Sequence, residues 1–143
     1  MDYPMSRRNR LERWASVLER SELANLTPFR DVEFLSPAER EQLRAANSPL
    51  TLAYQDPTLR RAGLGSDGFG DGAAFFRLSR LQAHRILCSC GYFGTMRASE
   101  VARRVRALAA RERLRELLPK NPLPAFARRL FPGRLFPRRH APA

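Results

Sequence analysis

The chain has 143 residues, of which 43% are hydrophobic, and this is enough for one ordinary domain with a modest core. No run approaches the roughly 20 apolar residues that a membrane span requires, which excludes an integral membrane protein. The net charge of +12 is uneven, since residues 1–75 hold 10 cationic and 11 acidic residues and residues 76–143 hold 16 and 3. The second half therefore favours anionic partners, whether nucleic acid, an anionic bilayer or an acidic protein, without selecting among them.

Arginine itself is weak support for phosphate recognition. Of the 26 cationic residues 25 are arginine, in a chain that also has 19 alanines and 11 prolines, and this combination is typical of a GC-rich coding bias. Because such a bias adds arginine to both halves, the positional asymmetry of charge remains informative.

The sequence favours a cytoplasmic location. Residues 6–11 match the twin-arginine export pattern superficially, but charged residues follow where an apolar stretch of about 7–15 residues is needed. Cys88 and Cys90 lie too close together for the spaced framework of a secreted disulfide protein, so we expect a reducing compartment.

Apolar spacing and capping residues predict two helices in the first third of the chain. The first has apolar residues at i, i+3, i+4 and i+7, with the tryptophan as core anchor: Leu11, Trp14, Ala15 and Leu18. The second begins at residues 36–39, where Ser36 is the cap and Glu39 completes a capping box. It is expected to end at residues 47–49.

Further along, a short third helix is predicted to start at Asp56 and to end at Gly63, and residues 50–55 fit either an extended run or one helical turn. Residues 63–72 hold five of the eight glycines and are predicted to form a loop. Ser79 then caps a helix whose inward residues are expected to be Leu81, Ala83, Leu87 and Cys88. After a turn at residues 91–95, a long helix covers residues 98–118. Five helices without a convincing strand pair predict an all-α bundle.

The long helix has two apolar stripes on opposite sides. Val101, Val105, Leu108 and Ala109 share one side, whereas Leu114, Leu117 and Leu118 project nearly opposite. Either the helix breaks near residues 109–110, or its last turns offer the leucines to a second copy, a partner or the tail. Alanine is a poor helix breaker, which favours the exposed stripe.

We predict a helical domain at residues 1–118 and a basic, proline-rich tail at residues 119–143. The tail has six prolines, no acid and a tandem Arg-Leu-Phe-Pro repeat at residues 129–132 and 134–137. We expect it to be disordered alone and to act as a docking segment or a membrane-surface patch. The alternative is that Phe131 and Phe136 fold back onto the domain.

The glycine-rich loop matches a nucleotide fingerprint only in its letters. Residues 63–68 read G-x-G-x-x-G, but residues 58–62 before them are polar and helical in character rather than a buried strand. The stretch also fits a single calcium-binding nonapeptide with Asp67 and Asp71 as ligands, yet one copy cannot build the repeat array of such sites. A mobile loop is the preferred interpretation.

His84, Cys88 and Cys90 are weak candidates for a metal site. A structural zinc site needs about four ligands, and His140 in the tail is the remaining His or Cys of the chain. A partly buried histidine beside a small buried cysteine is the favoured alternative. The same residues lack an orienting group for nucleophilic catalysis, so neither an enzyme nor a cofactor is predicted.

The two helices around residues 91–95 also invite a helix-turn-helix interpretation. Arginines would then face DNA from the second helix, but this turn is longer than the usual three to four residues, and Arg97 or Glu100 would fall where apolar contacts are expected. A solvated arginine face on a structural helix is the alternative.

The leading hypothesis is a non-enzymatic protein that binds polyanions, with nucleic acid held through its backbone as the favoured partner. The predicted anion-binding residues are Arg103, Arg104, Arg106, Arg111, Arg115, Arg128, Arg129, Arg134, Arg138 and Arg139. The first alternative is a protein-interaction adaptor or homodimer that docks through Leu114, Leu117, Leu118, Phe131 and Phe136. The second is a peripheral protein on anionic membrane.

Overall fold

The structure is a computed structural model that describes residues 4–118, and this part is mostly helical. Its seven α-helices are α1 Arg7–Glu19, α2 Pro37–Gln42, α3 Pro49–Gln55, α4 Pro57–Arg61, α5 Phe69–Phe75, α6 Arg80–Leu87 and α7 Ala98–Leu117. There are also two 3-10 turns, Val32–Phe34 and Ser89–Gly91, and two short strands, β1 Asn25–Leu26 and β2 Met96–Arg97. The predicted all-α fold is confirmed, with two more helices than expected. The tail lies outside the described residues.

The capping residues recognised in the sequence do start helices. At α2 the Ser36 hydroxyl accepts a hydrogen bond from the Glu39 amide, and the Glu39 carboxylate accepts one from the Ser36 amide, both at 3.2 Å. Ser79 and Gln82 form the same reciprocal pair at the start of α6. Such a pair satisfies two amides that a helix N-terminus otherwise leaves without partners, so these starts are fixed locally.

Helices α1 and α7 form the centre of the core and run antiparallel. The predicted inward residues of α1 are all buried, and Trp14 is fully enclosed. Its ring stacks on Phe76 with centroids 4.1 Å apart, and its indole N–H donates to the Pro49 carbonyl at 3.0 Å. Trp14 therefore joins α1 to the start of α3 and the end of α5, as expected of a core anchor.

Two backbone links fix the ends of α6 and α7. Antiparallel pairing of β1 with β2 ties the segment after α1 to the start of α7. The Phe29 amide donates to the Leu87 carbonyl, and the Ser89 amide donates to the Phe29 carbonyl, each at 2.9 Å. As a result, α6 ends at a defined place beside α7.

Three boundaries differ from the sequence predictions. Helix α2 ends at Gln42 rather than near residue 47, and residues 49–55 form α3, which Ser48 caps. The glycine-rich loop is shorter than predicted, because α5 begins at Phe69. Gly72 is buried in α5, where an added Cβ would overlap the Leu50 side chain, so this glycine allows close packing rather than a turn.

The prediction that Leu81 faces inward is wrong, since its side chain is 58% exposed. The buried residues of α6 are Ala83, Ile86 and Leu87. At about 100° per residue Leu81 points to the opposite side of the helix from these three. Ile86, rather than Leu81, completes the inward face of α6.

Candidate polyanion-binding groove

Helices α6 and α7 form the walls of an open groove on the protein surface. It consists of two adjoining cavities of about 470 and 730 Å³, which share Gln82, Leu108 and Arg111 in their walls. The first cavity ends at the turn containing Cys90 and Gly91, and the second reaches Arg7 of α1. The packing of α7 on α1 and the anchoring of α6 at Phe29 hold the two walls apart.

The groove is strongly cationic. Glu112 is the single carboxylate among the described residues that line the two cavities, and Arg7 binds it at 2.8 Å. The side chains of Arg77, Arg85 and Arg111 are exposed and make no hydrogen bond or ion pair within residues 4–118. The six lining arginines are Arg7, Arg77, Arg85, Arg104, Arg111 and Arg115.

Neighbouring arginines reinforce the positive potential at one end of this groove. Arg10 donates to the Phe75 carbonyl and lies over the Phe75 ring. Burial lowers the pKa of its guanidinium, and the positive charge of Arg77 lowers it further. An anion bound near Arg77 would therefore relieve repulsion that the folded chain otherwise retains.

Arg77 and Arg85 are not among the anion-binding residues predicted from the sequence, which lie on α7 and in the tail. A signal was nevertheless present: residues 72–99 contain no aspartate or glutamate and four arginines. The fold brings this stretch opposite Arg111 and Arg115 of α7, both of which were predicted anion-binding residues.

Arg104, another predicted anion-binding residue, has a structural role. Its guanidinium donates to the Arg85 carbonyl at 2.5 Å and to the Gly91 carbonyl at 2.6 Å, and it pairs with Glu100 at 3.0 Å. It also lies over the ring of Tyr92, 4.0 Å from the centroid. Arg104 thus lines the groove while fixing the connection between α6 and α7.

Arg106 is turned away from the groove. It pairs with Glu19 at 2.5 Å and donates to the Ser16 hydroxyl at 3.1 Å, which joins α7 to α1. The hydrogen bond and charge of Arg106 lower the pKa of Glu19, and those of Glu19 raise the pKa of Arg106.

Arg103 is exposed beside Glu100, 3.9 Å away. The arginines of the tail lie outside the described residues.

The connection between α6 and α7 does not fit a helix-turn-helix. It spans residues 88–97 and includes a 3-10 turn and β2, where that motif uses a turn of about three to four residues. The arginines of α7 are therefore better described as one wall of a groove than as a recognition helix.

Of the three candidate metal-binding residues, Cys90 lines the first cavity of the groove, whereas His84 and Cys88 line neither cavity. His84 Nδ1 is 3.6 Å from the sulfur of Cys90, which is exposed. Cys88 is buried, and desolvation raises the pKa of its thiol to about 12, with smaller contributions from Cys90 and Glu33. Across residues 4–118 no group of three or more His, Cys, Asp or Glu side chains is arranged to hold a metal ion. His140 lies outside that range.

The glycine-rich loop holds its carboxylates in internal contacts. Asp67 pairs with Arg44 at 2.6 Å, and Asp71 accepts a hydrogen bond from the Ser66 hydroxyl at 2.5 Å. Gly63 follows α4 with a φ of +119°, rather than following a strand as a nucleotide fingerprint requires. These contacts stabilise the conformation of residues 63–71.

The leucine stripe at the end of α7 is exposed, and the helix continues through residues 109–110 without a break. Leu114, Leu117 and Leu118 have exposed fractions of 63%, 72% and 64%. Opposite them Glu112 and Glu116 pair with Arg7 and Arg8 of α1, so the polar side of this helical end is the one that contacts the domain. Within residues 4–118 no helix has the length and apolar character to traverse a bilayer.

The fold and the groove together define a small all-α protein with a cationic surface groove. No known protein family, curated protein or solved structure matches the chain.

Proposed function

We propose that the protein binds polyanions without catalysing a reaction, and that its partner is nucleic acid held through phosphate contacts in the groove between α6 and α7. The observation that supports this function best is the set of exposed groove arginines, Arg77, Arg85 and Arg111, for which the described fold supplies no carboxylate partner. Guanidinium groups in this state can bind phosphate oxygens without first breaking an internal ion pair.

The groove favours contact with the backbone over recognition of bases. Between the arginines its walls are aliphatic, with Ile86, Ala107 and Leu108, and no aromatic ring lines either cavity within the described residues. Binding without a stacking platform depends mainly on the release of counterions from the phosphates. We therefore expect affinity that changes little with sequence and falls steeply with salt.

A double variant tests this function. Replacing Arg85 and Arg111 with glutamine should lower affinity for a labelled duplex by about tenfold at low salt, since each lost phosphate contact removes one counterion released. The slope of log K against log salt concentration should become less negative by about 2. Fluorescence anisotropy over a series of salt concentrations measures both quantities.

The matched control replaces Arg60 and Arg61, two exposed arginines of α4 outside the groove, with glutamine. This variant has the same net charge as the groove variant. If both double variants lose affinity equally, binding follows total charge and the groove is not the site. Tight binding that is indifferent to salt would contradict the function as a whole.

The exposed leucines support a second candidate function, a protein-interaction adaptor. The polar side of the end of α7 is paired to the domain, and its apolar side is exposed. This arrangement is typical of a helix that docks on another protein. In this case the groove arginines would steer the encounter and the leucines would supply the affinity.

Serine at Leu114 and Leu117 distinguishes the two candidates. In affinity purification from nuclease-treated native cells, this change should abolish retention of a protein partner that the Arg85 and Arg111 variant still retains. Serine at Leu81, an exposed leucine on α6, is the matched control. A partner retained equally by all three variants would contradict the adaptor function.

A further inference from the structure

Cys90 combines three features in one place. Its thiol is exposed, it forms part of the groove wall, and its sulfur lies 3.6 Å from Nδ1 of His84. In the tautomer with its proton on Nε2, the imidazole can accept a proton from the thiol. A thiolate is the nucleophilic form of cysteine, so the histidine is suitably placed to assist exchange with a disulfide.

The position of the thiol is fixed by the fold. Cys90 lies in the 3-10 turn Ser89–Gly91, which the Phe29 backbone holds on one side and Arg104 on the other. Gly91 packs against the end of α6 so closely that an added Cβ would lie 2.7 Å from the Arg85 carbonyl oxygen. The thiol and the imidazole are therefore kept together by a tightly packed turn.

The cavity in front of Cys90 contains positive charge and no carboxylate among its described lining residues. Arg85 and Arg111 are free of ion pairs within residues 4–118 and line this cavity of about 470 Å³ together with Arg104. Cationic surroundings favour the approach of anionic reagents.

We propose that Cys90 is a thiol–disulfide exchange site selective for small disulfides whose two halves carry carboxylates. Such a molecule can place a carboxylate near Arg85 or Arg111 while one of its sulfurs meets Cys90. This site does not depend on nucleic-acid binding and goes beyond the proposed function.

The reaction exchanges one sulfur–sulfur bond for another. His84 accepts the thiol proton, and the Cys90 sulfur attacks one sulfur of the disulfide. A new bond forms between Cys90 and that half, the original bond breaks, and the second half leaves as a thiolate that recovers the proton from His84. The products are a mixed disulfide at Cys90 and one free small thiol, with no other oxidant required.

The neighbouring Cys88 does not remove the modification. Because burial raises its pKa to about 12, Cys88 is almost entirely a thiol near neutral pH and cannot attack the mixed disulfide efficiently. Closing a bond across two positions would also strain the turn. The mixed disulfide is therefore expected to last until an external thiol reduces it.

Two full-length single-cysteine variants test the site, Cys88→Ser, which keeps Cys90, and Cys90→Ser, which keeps Cys88. The probes are 5,5′-dithiobis(2-nitrobenzoate), which has a carboxylate on each half, and uncharged 4,4′-dithiodipyridine. With the anionic probe, the chain that keeps Cys90 should release one equivalent of thiol at least about 100-fold faster than the other. For this chain we also expect an effect of folding on the rate with the anionic probe divided by the rate with the neutral probe. This rate ratio should be about tenfold larger in the folded chain than in the same chain unfolded in urea.

Further changes in the Cys88→Ser background assign these effects. Replacing Arg85 and Arg111 with glutamine should return the rate ratio toward its unfolded value, and the Arg60 and Arg61 pair should leave it unchanged. Changing His84 to asparagine should slow both probes, and far-UV circular dichroism verifies that each variant is folded. Equal rates for the two single-cysteine chains, or a rate ratio that the groove pair does not alter, would overturn the proposal.

Discussion

Replacing Trp14 with alanine is expected to lower the free energy of unfolding by about 3–5 kcal/mol, because the largest buried side chain leaves a cavity in the centre of the core. The change also removes the stacking on Phe76 and the hydrogen bond to the Pro49 carbonyl. Urea unfolding followed by circular dichroism measures the effect.

Phenylalanine at position 14 provides the control for this prediction. It keeps an aromatic ring against Phe76 but leaves the Pro49 carbonyl without its donor, so a smaller loss of about 1–3 kcal/mol is expected. A loss below about 1 kcal/mol for the alanine variant would show that the site collapses readily, which contradicts the central role of Trp14.

Replacing Asp56 with alanine should have the second large effect, with an expected loss of about 1.5–2 kcal/mol in the free energy of unfolding at neutral pH. Its carboxylate accepts hydrogen bonds from Nη2 and Nε of Arg13, at 2.7 and 3.0 Å, and another from the Leu59 amide at the start of α4. The cap accounts for about 1 kcal/mol, and the ion pair for the rest, discounted because the Arg13 side chain is 37% exposed to solvent.

This contribution depends on pH in a defined direction. The hydrogen bond from Arg13 is the main cause that holds the pKa of Asp56 below its ordinary value, with the Leu59 amide assisting. A depressed folded pKa gives stability that is fully present above the unfolded value of about 3.9 and is lost as pH falls through the folded value. The stability difference between the natural chain and the alanine variant should therefore shrink below about pH 4.

Asparagine at position 56 separates the cap from the charge. It can still cap α4 but cannot form the ion pair, so its stability relative to alanine should remain nearly constant as pH falls. Denaturant midpoints between pH 3 and 7 provide the comparison. A gap between the natural and alanine chains that does not change over this range would contradict the assigned pKa shift.

The parts of the fold that the sequence predicted are those that short-range chemistry determines. Ser36 with Glu39, and Ser79 with its partner three residues later, mark helix starts through bonds within one turn. The burial of Gly72 against Leu50 depends instead on residues that are distant in the chain. For this reason a glycine that permits packing in α5 was indistinguishable from one that permits a loop.

The groove was harder to predict for the same reason. Arg104, Arg106 and Arg111 lie within three turns of one helix and have the same chemistry in the sequence. Their tertiary contacts distinguish them. Arg106 pairs with Glu19 of α1, Arg104 donates hydrogen bonds to backbone carbonyls, and Arg111 has no ion-pair partner in the described fold. The facing wall, with Arg77 just before α6 and Arg85 on it, forms only because the fold brings this stretch beside α7.

The end of α6 also affects the groove through its dipole. A helix C-terminus has four backbone carbonyls without helical amide partners and a partial negative charge that repels anions. Here all four carbonyls, those of residues 84–87, accept a hydrogen bond. In chain order the donors are the Cys88 amide, the Arg104 guanidinium, the Tyr92 hydroxyl and the Phe29 amide. The arginines of this wall therefore act on an incoming anion with little opposition from the helix that supports them.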